Sequence, residues 1–528
     1  MPLSPVKMMV TKEQITSFIL ALGLTQDKAT QIHKRSEIGC NYTEEVLMIL
    51  YPQNVFLPES SEYSTWISKY FFESGSRPRL NASAVFTPEN TEQVASGVKI
   101  FEFFQRQFAI RGLGFTSNPG AAGIEDGVLL ALEKMNNISL TPSKDVASLG
   151  PGNNWGRVYS TLENQGVTVT GGELAVVGIS GLLIGNGFGS FLGSRGFSSA
   201  DIANFEVVLS GGKVVNANAS ENSDLWWALK GGSNNFGIVT RFDMNTFPLP
   251  NGIFSGTISY DLSQANAALD AFYEIQTGAL LDDPQLVVTC MEMIIPAIKL
   301  TTIDLTSFTG KVNFTGSYPT ALQPLIDVGP IATNFSRNTL TVEASKAVTP
   351  EFLAVYTQRI GRGNVNIKAD QELYKEISEL FFSHYASSTL ADHTIGFSWN
   401  PVTPHAVQES NRKGGNTGGW QEVDQNSLNL RTSWGNADDD SVALQMDADF
   451  LAKATELARK RNALMPNQWM NNAAETADVI STYGEENVKK LKAISQKYDK
   501  EGTFQRLVPG GYKLGAWIIP ESCPVVDM

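Results

Sequence analysis

The chain has 528 residues, and its 42% hydrophobic and 18% charged composition is that of a globular protein rather than a disordered one. That length predicts roughly two to four domains rather than one simple core. A formal net charge of -14 argues against a nucleic-acid partner, because phosphate binding needs a basic surface. Cys40, Cys290 and Cys523 are too scattered for a disulfide framework, and His33, His384, His393 and His405 have no metal-ligand spacing, so no metal site is expected. The first residues lack the apolar segment of a signal peptide, which predicts a cytoplasmic protein.

Residues 11 to 34 carry apolar residues at helical spacing, with Ile15, Phe18, Ile19 and Leu22 on one face and Thr11 as a cap. They predict a helical appendage and lead-in over 1–75. From 76 to 247, short apolar runs such as Phe108 to Arg111, Gly127 to Leu132 and Phe205 to Leu209 alternate with glycine-rich turns. The breaker cluster Phe247-Pro-Leu-Pro-Asn-Gly252 marks a boundary. Beyond it, over 248–466, long alternating strands (Gly256 to Tyr260, Leu286 to Ile294, Thr394 to Trp399) are interspersed with helical runs at Ser263 to Thr277 and Ser441 to Lys460. The expected fold class is therefore α+β, with an antiparallel sheet covered by helices in this second part and a last segment, 467–528, that returns to the first.

The uncharged run Leu174 to Leu192 is long enough to span a membrane, but its glycines, Ser180, Asn186 and Ser190 fit a glycine-rich loop, so no span is expected. Closely spaced glycines let backbone N–H groups approach phosphate oxygens. Three such segments occur in order: Ile110-Arg-Gly-Leu-Gly-Phe-Thr-Ser-Asn-Pro-Gly120, Gly178-Ile-Ser-Gly-Leu-Leu-Ile-Gly-Asn-Gly-Phe-Gly189, and the run Asp224 to Thr240 with Gly237-Ile-Val239 near its end. A fourth segment follows, with Tyr483-Gly-Glu-Glu-Asn487 and then Pro509-Gly-Gly511.

This ordered set resembles the FAD-binding domain of the vanillyl-alcohol-oxidase superfamily, and within it the berberine-bridge-enzyme-like branch of fungal secondary metabolism. The resemblance spans about Tyr51 to Leu514 and implies a two-part FAD-binding domain and a substrate domain. It implies that Arg111, Gly112, Leu113, Gly114, Phe115, Thr116 and Asn118 meet the pyrophosphate. Val177, Gly178, Ser180, Gly181, Gly185 and Gly187 would meet the isoalloxazine and ribityl side. Gly237, Ile238 and Val239 would meet the adenosine half, and Asn487 in the closing segment is expected to bind the cofactor as well.

Three positions depart from the branch. Its loop motif R-S-G-G-H, whose histidine bonds to the flavin, is here Arg111-Gly-Leu-Gly-Phe115; its second anchor, a cysteine, aligns with Leu174. Neither side chain carries a nucleophile, so the FAD is expected to be non-covalent. Where relatives have L-N-Y-A, this chain has Met470-Asn-Asn-Ala473, and Asn472 cannot act as a base near neutral pH.

The remaining catalytic candidates are Tyr483, Glu292 and His393. Glu292 sits between Met291 and Met293 in an apolar strand that would raise its pKa, and His393 shares a strand face with Ile395, Phe397 and Trp399. Aromatic residues including Phe397, Trp399, Trp420, Trp434 and Trp469 could line a pocket for an apolar small molecule. Two readings follow: an oxidase or dehydrogenase that passes a hydride to FAD with O2 as reoxidant, or a redox-neutral cyclase, isomerase or pericyclase that keeps FAD as scaffold.

Overall fold

The computed structural model describes residues 10–36, 42–69, 80–295, 300–309, 317–346, 348–349, 359–386, 388–390 and 392–515. Cys40 and Cys523 lie outside them; Cys290 is buried.

The N-terminal run is two helices, Lys12–Ala21 and Gln26–Ser36, because Gly23 adopts φ +83° and ends the first. Thr11 caps the first helix in a reciprocal arrangement with Gln14. These helices are more than an appendage. Ile15, Ile19, Ala29 and Ile32 join Val46 and Leu47 in one core with Val94, Val98 and Phe101 of helix Thr91–Phe103. That core covers one face of a four-stranded sheet ordered Val55–Phe56, Ala84–Phe86, Val128–Ala131, Phe108–Arg111. Strand Val128–Ala131 has parallel neighbours on both sides and is buried throughout. Val128 and Leu130 face this core while Leu129 and Ala131 face a second one with Tyr63, Ile67 and Ala109, which is why the strand reads as an unbroken apolar run.

A five-stranded antiparallel sheet follows, ordered Ile138–Leu140, Val146–Leu149, Ile238–Asn245, Ile202–Val208, Val214–Asn218. The uncharged run Leu174 to Leu192, between its strands Val146–Leu149 and Ile202–Val208 in the chain, holds only the short helix Ile179–Leu183 and the start of Leu192–Arg195, interrupted where Asn186 and Gly187 take φ +78° and +73°. Among the described residues no helix is long and apolar enough to cross a membrane.

The second part is built on seven antiparallel strands in the order Ala332–Asn338, Ile253–Tyr260, Leu300–Thr309, Leu286–Ile295, Thr394–Val402, Gln425–Trp434, Arg359–Lys368. Helices Ala265–Thr277, Gln371–Tyr385 and Asp440–Lys460 pack on one face, where Phe272, Phe381 and Phe450 meet Val288, Phe397, Trp399 and Leu430. Gly361 and Gly363 let the last helix lie close: a Cβ there would stand 2.3 Å from Asp447 and 2.2 Å from Leu451. The opposite face of the sheet looks toward the first part of the molecule.

The chain then returns. Phe504 and Leu507 enter the N-terminal core, the Phe108 N–H donates to the Leu507 carbonyl at 2.8 Å, and Lys497 pairs with Asp224 at 2.7 Å.

Glu292 lies on the helix-covered face, fully buried. Burial pushes its carboxyl up to about 8; Ser378 and Trp399 temper the shift without reaching full hydrogen-bond geometry. A raised folded pKa gives stability that is present below the unfolded value of 4.5 and lost as pH climbs toward about 8. The loss over that window is on the order of 5 kcal/mol. Glu292→Gln should therefore flatten the fall in melting temperature between pH 5 and pH 8; thermal melts at the two pH values check this, and an unchanged slope would contradict it.

Candidate active site between the glycine-rich loops and the sheet

A cavity of about 1210 Å³ separates the glycine-rich segments from the exposed face of the seven-stranded sheet. Strand Phe108–Arg111 delivers the first segment. Arg111 itself is buried and ion-paired to Glu133 at 2.9 Å, anchoring the loop root without lining the cavity, whereas Gly112, Leu113, Gly114, Phe115, Thr116 and Asn118 all line it. Gly114 takes φ +67°, which a branched residue would resist.

The first and second segments touch. A Cβ on Gly112 would stand 3.3 Å from Ser180, and one on Gly178 would stand 3.1 Å from Leu113. Ser180 Oγ donates to the Pro151 carbonyl at 2.7 Å, which holds the pair in place. Gly181 differs, because a Cβ there would meet nothing within 4 Å. It opens onto the cavity, as do Val177, Gly178 and Ser180. Gly185 and Gly187 do not line it. A Cβ on Gly185 would collide with Asn471 at 2.4 Å, and one on Gly187 with Leu182 at 2.6 Å, so these two glycines serve packing. Gly237, Ile238 and Val239 complete this wall.

The closing segment contributes differently from expectation. Asn472 lines the cavity, but the structural link is its neighbour Asn471. Asn471 Nδ2 donates to the Gly181 carbonyl at 2.9 Å, and its Oδ1 accepts from Trp469 Nε1 at 2.9 Å and from the Gly187 N–H at 3.3 Å. The Tyr512 hydroxyl accepts from Asn118 Nδ2 at 2.8 Å. Tyr483 and Asn487 stand outside the cavity: the Tyr483 hydroxyl is buried and donates to the Gly231 carbonyl at 3.1 Å, and Asn487 donates to the carbonyls of Thr417 and Tyr483. Burial raises the Tyr483 pKa far out of the physiological range.

Across the cavity, the two-residue period of the strands sorts the other candidates. His393, Ile395, Phe397 and Trp399 point to the helices, as does Glu292. His393 sits 2.5 Å from Ser388 Oγ, and burial lowers its pKa to about 4. Neither Glu292 nor His393 reaches the cavity. The wall is made instead by the alternate positions, among them Thr289, Met291, Met293, Gly396, Ser398, Asn429, Arg431 and, on the neighbouring strand, Arg362. Of the five aromatic residues expected around a pocket, Trp469 lines it; Phe397, Trp399 and Trp434 belong to the buried face or its edge, and Trp420 packs on Phe188 and Phe197.

Several lining residues escaped sequence reasoning, among them Arg362, Arg431, Asn471 and Glu173. Glu173 projects into the cavity, accessible to its space yet enclosed by protein, and burial pushes its carboxyl up to about 7. Its only sequence signal was its place beside Leu174, which also lines the cavity.

The residues present fit FAD. Three glycine-bearing segments line one space, Gly181 leaves open the room a side chain would fill, and the volume exceeds the roughly 300–1,000 Å³ of an ordinary ligand site. Gly181→Val should place its side chain in that space without meeting protein. FAD affinity should fall at least about tenfold, or 1.4 kcal/mol, with the apoprotein melting near wild type. Flavin absorbance after purification and an apoprotein melt check this; full occupancy would contradict it.

Residues 82–218 match the family profile described as FAD binding domain. Over 475 residues the chain is 32% identical to FAD-dependent monooxygenase sdcF of Emericella nidulans, covering 87% of this chain and 95% of that one. It is 29% identical to FAD-dependent monooxygenase prx3 of Penicillium roqueforti, covering 96% and 99%. Among solved structures, glucooligosaccharide oxidase from Acremonium strictum, which has a 6-S-cysteinyl, 8α-N1-histidyl FAD, superposes with a TM-score of 0.74 at 18% identity, covering 90% of this chain and 100% of that one. With glycine-rich segments and sheet enclosing one cavity, and with 32% identity to sdcF over most of both chains, the chain belongs to the family of FAD-linked oxidoreductases that includes the Emericella and Penicillium enzymes.

Proposed function

We propose that the protein oxidises a small molecule of secondary metabolism, using FAD held without a covalent bond and dioxygen as the final acceptor. The observation that carries this reading is the single cavity shared by the glycine-rich segments and the sheet wall, which lets a substrate lie against the cofactor. When bound, FAD would supply the electron acceptor for a two-electron oxidation of the substrate, with dioxygen as the terminal oxidant.

The chain's own part is binding, orientation and proton handling. Gly112 to Asn118 and Gly178 to Gly181 present backbone to the cofactor, and Asn471 fixes the second segment against the returning chain. Phe115 and Leu174, which the resemblance aligns with the branch's covalent anchors, line the cavity, and a phenyl ring or an isobutyl group forms no such bond. Glu173 is the group suited to take the substrate's proton. Its carboxyl, with a pKa of about 7, is ionised above neutrality and accepts the proton released as the hydride departs.

Acid precipitation should release FAD into the supernatant, and a yellow pellet would overturn non-covalent attachment. A panel of aromatic and polyketide alcohols, screened anaerobically, should include one that bleaches the flavin, with peroxide appearing when air is admitted. Conversion to an isomer of unchanged formula, without bleaching, would overturn the oxidase reading. For a turned-over compound, kcat/KM should rise with pH and level off above about 7. Glu173→Gln should lower it about 10²-fold or more, and should remove that rise.

A further inference from the structure

The seven-stranded sheet places two guanidinium groups side by side on its cavity face. Arg362 and Arg431 are direct cross-strand partners in register, and both line the cavity. Like charges directly opposite in a sheet destabilise it. The row continues through Gly396, which pairs with Arg431, to Met293, which pairs with Gly396. Gly396 has no side chain; a Cβ there would stand 3.5 Å from the Met291 sulfur and 3.8 Å from the Arg431 carbonyl. The row thus forms a shallow floor with thioethers at one end and two cations at the other.

We propose that this floor is the substrate subsite and that the substrate is an organic anion, a carboxylate or acidic enol on an apolar body, whose charge is held by Arg362 and Arg431. The proposal rests on the reading of the cavity as the substrate site of an FAD-linked enzyme. Glu343, which also lines the cavity, is held by Lys346 at 2.7 Å. Burial lowers both guanidinium pKa values to about 10, which leaves them charged at neutral pH in a poorly solvated setting where an anion binds strongly. Arg362 also lies over the Phe115 ring at 5.8 Å, and its Nη1 donates to the Asn471 carbonyl at 3.4 Å, which positions it between the loop and the sheet. The Met291 and Met293 side of the floor accommodates the apolar body.

The test uses the FAD-loaded protein and an isosteric pair of probes, 2-naphthoate and 2-naphthamide, titrated by calorimetry and by flavin difference spectra at pH 7.5. Naphthoate should bind at least about tenfold more tightly, as expected for a charge-assisted contact worth 1.4 kcal/mol or more. Arg431→Met and Arg362→Met should each erase most of that preference while leaving naphthamide binding and FAD content unchanged, and Arg431→Lys should keep part of it. Equal binding of the two probes by the wild-type holoprotein would overturn the proposal without need of any variant. So would a loss of FAD in the arginine variants, which would assign the pair to the cofactor. Wild-type protein that purifies without flavin is a separate result and overturns the cofactor reading itself.

Discussion

Everything in the second part of the chain follows from the two-residue period of a sheet that is covered by helices on one side and faces a cavity on the other. Because each strand sends alternate side chains to opposite faces, the residues that bury Phe381 and Phe450 are fixed by the same register as those that line the cavity. Moving one strand by a single residue would expose Phe397 and Trp399 and bury Ser398. The helices therefore specify the cavity indirectly: by demanding an apolar set on one face they dictate which polar set appears on the other. Gly361 and Gly363 strengthen that demand by drawing helix Asp440–Lys460 onto the sheet.

The opposite wall rests on backbone proximity rather than side-chain packing. Two glycine-bearing segments lie in contact because neither carries a Cβ at the meeting points Gly112 and Gly178. The same property that lets them touch each other leaves their amides accessible from the cavity side. Asn471 then clamps the second segment with two hydrogen bonds from a different part of the chain, to Gly181 and Gly187. A carboxamide suits this position, since one side chain both donates and accepts.

The sequence disclosed the elements better than their facing. Strand Phe108–Arg111 and helix Asp440–Lys460 were legible from apolar runs and helical period, and the α+β architecture from their order. The alternation at His393 to Trp399 was also legible, but periodicity alone does not say which face is covered, and the aromatic face proved to be the buried one. Glu292 looked poised for chemistry for the same reason; its raised pKa is a consequence of burial under a helix. Gly185 and Gly187 shared the spacing of ligand-facing glycines, yet their absent side chains make room for Asn471 and Leu182, a distinction that only three-dimensional neighbours reveal. Glu173 was invisible because nothing in a single charged residue beside a turn signals an enclosed cavity.

The return of the chain after the sheet has a consequence for how the protein matures. The cavity draws on residues from Gly112 through Trp469 to Tyr512, so its walls meet only after synthesis has passed Tyr512. The strand Phe108–Arg111 likewise waits for Leu507 to supply its edge partner. A nascent chain therefore has no complete site to offer the cofactor, and FAD captures finished molecules in preference to partial ones. Since a ligand that binds only the completed fold stabilises it by mass action, cellular flavin supply becomes a determinant of how much of this protein survives synthesis.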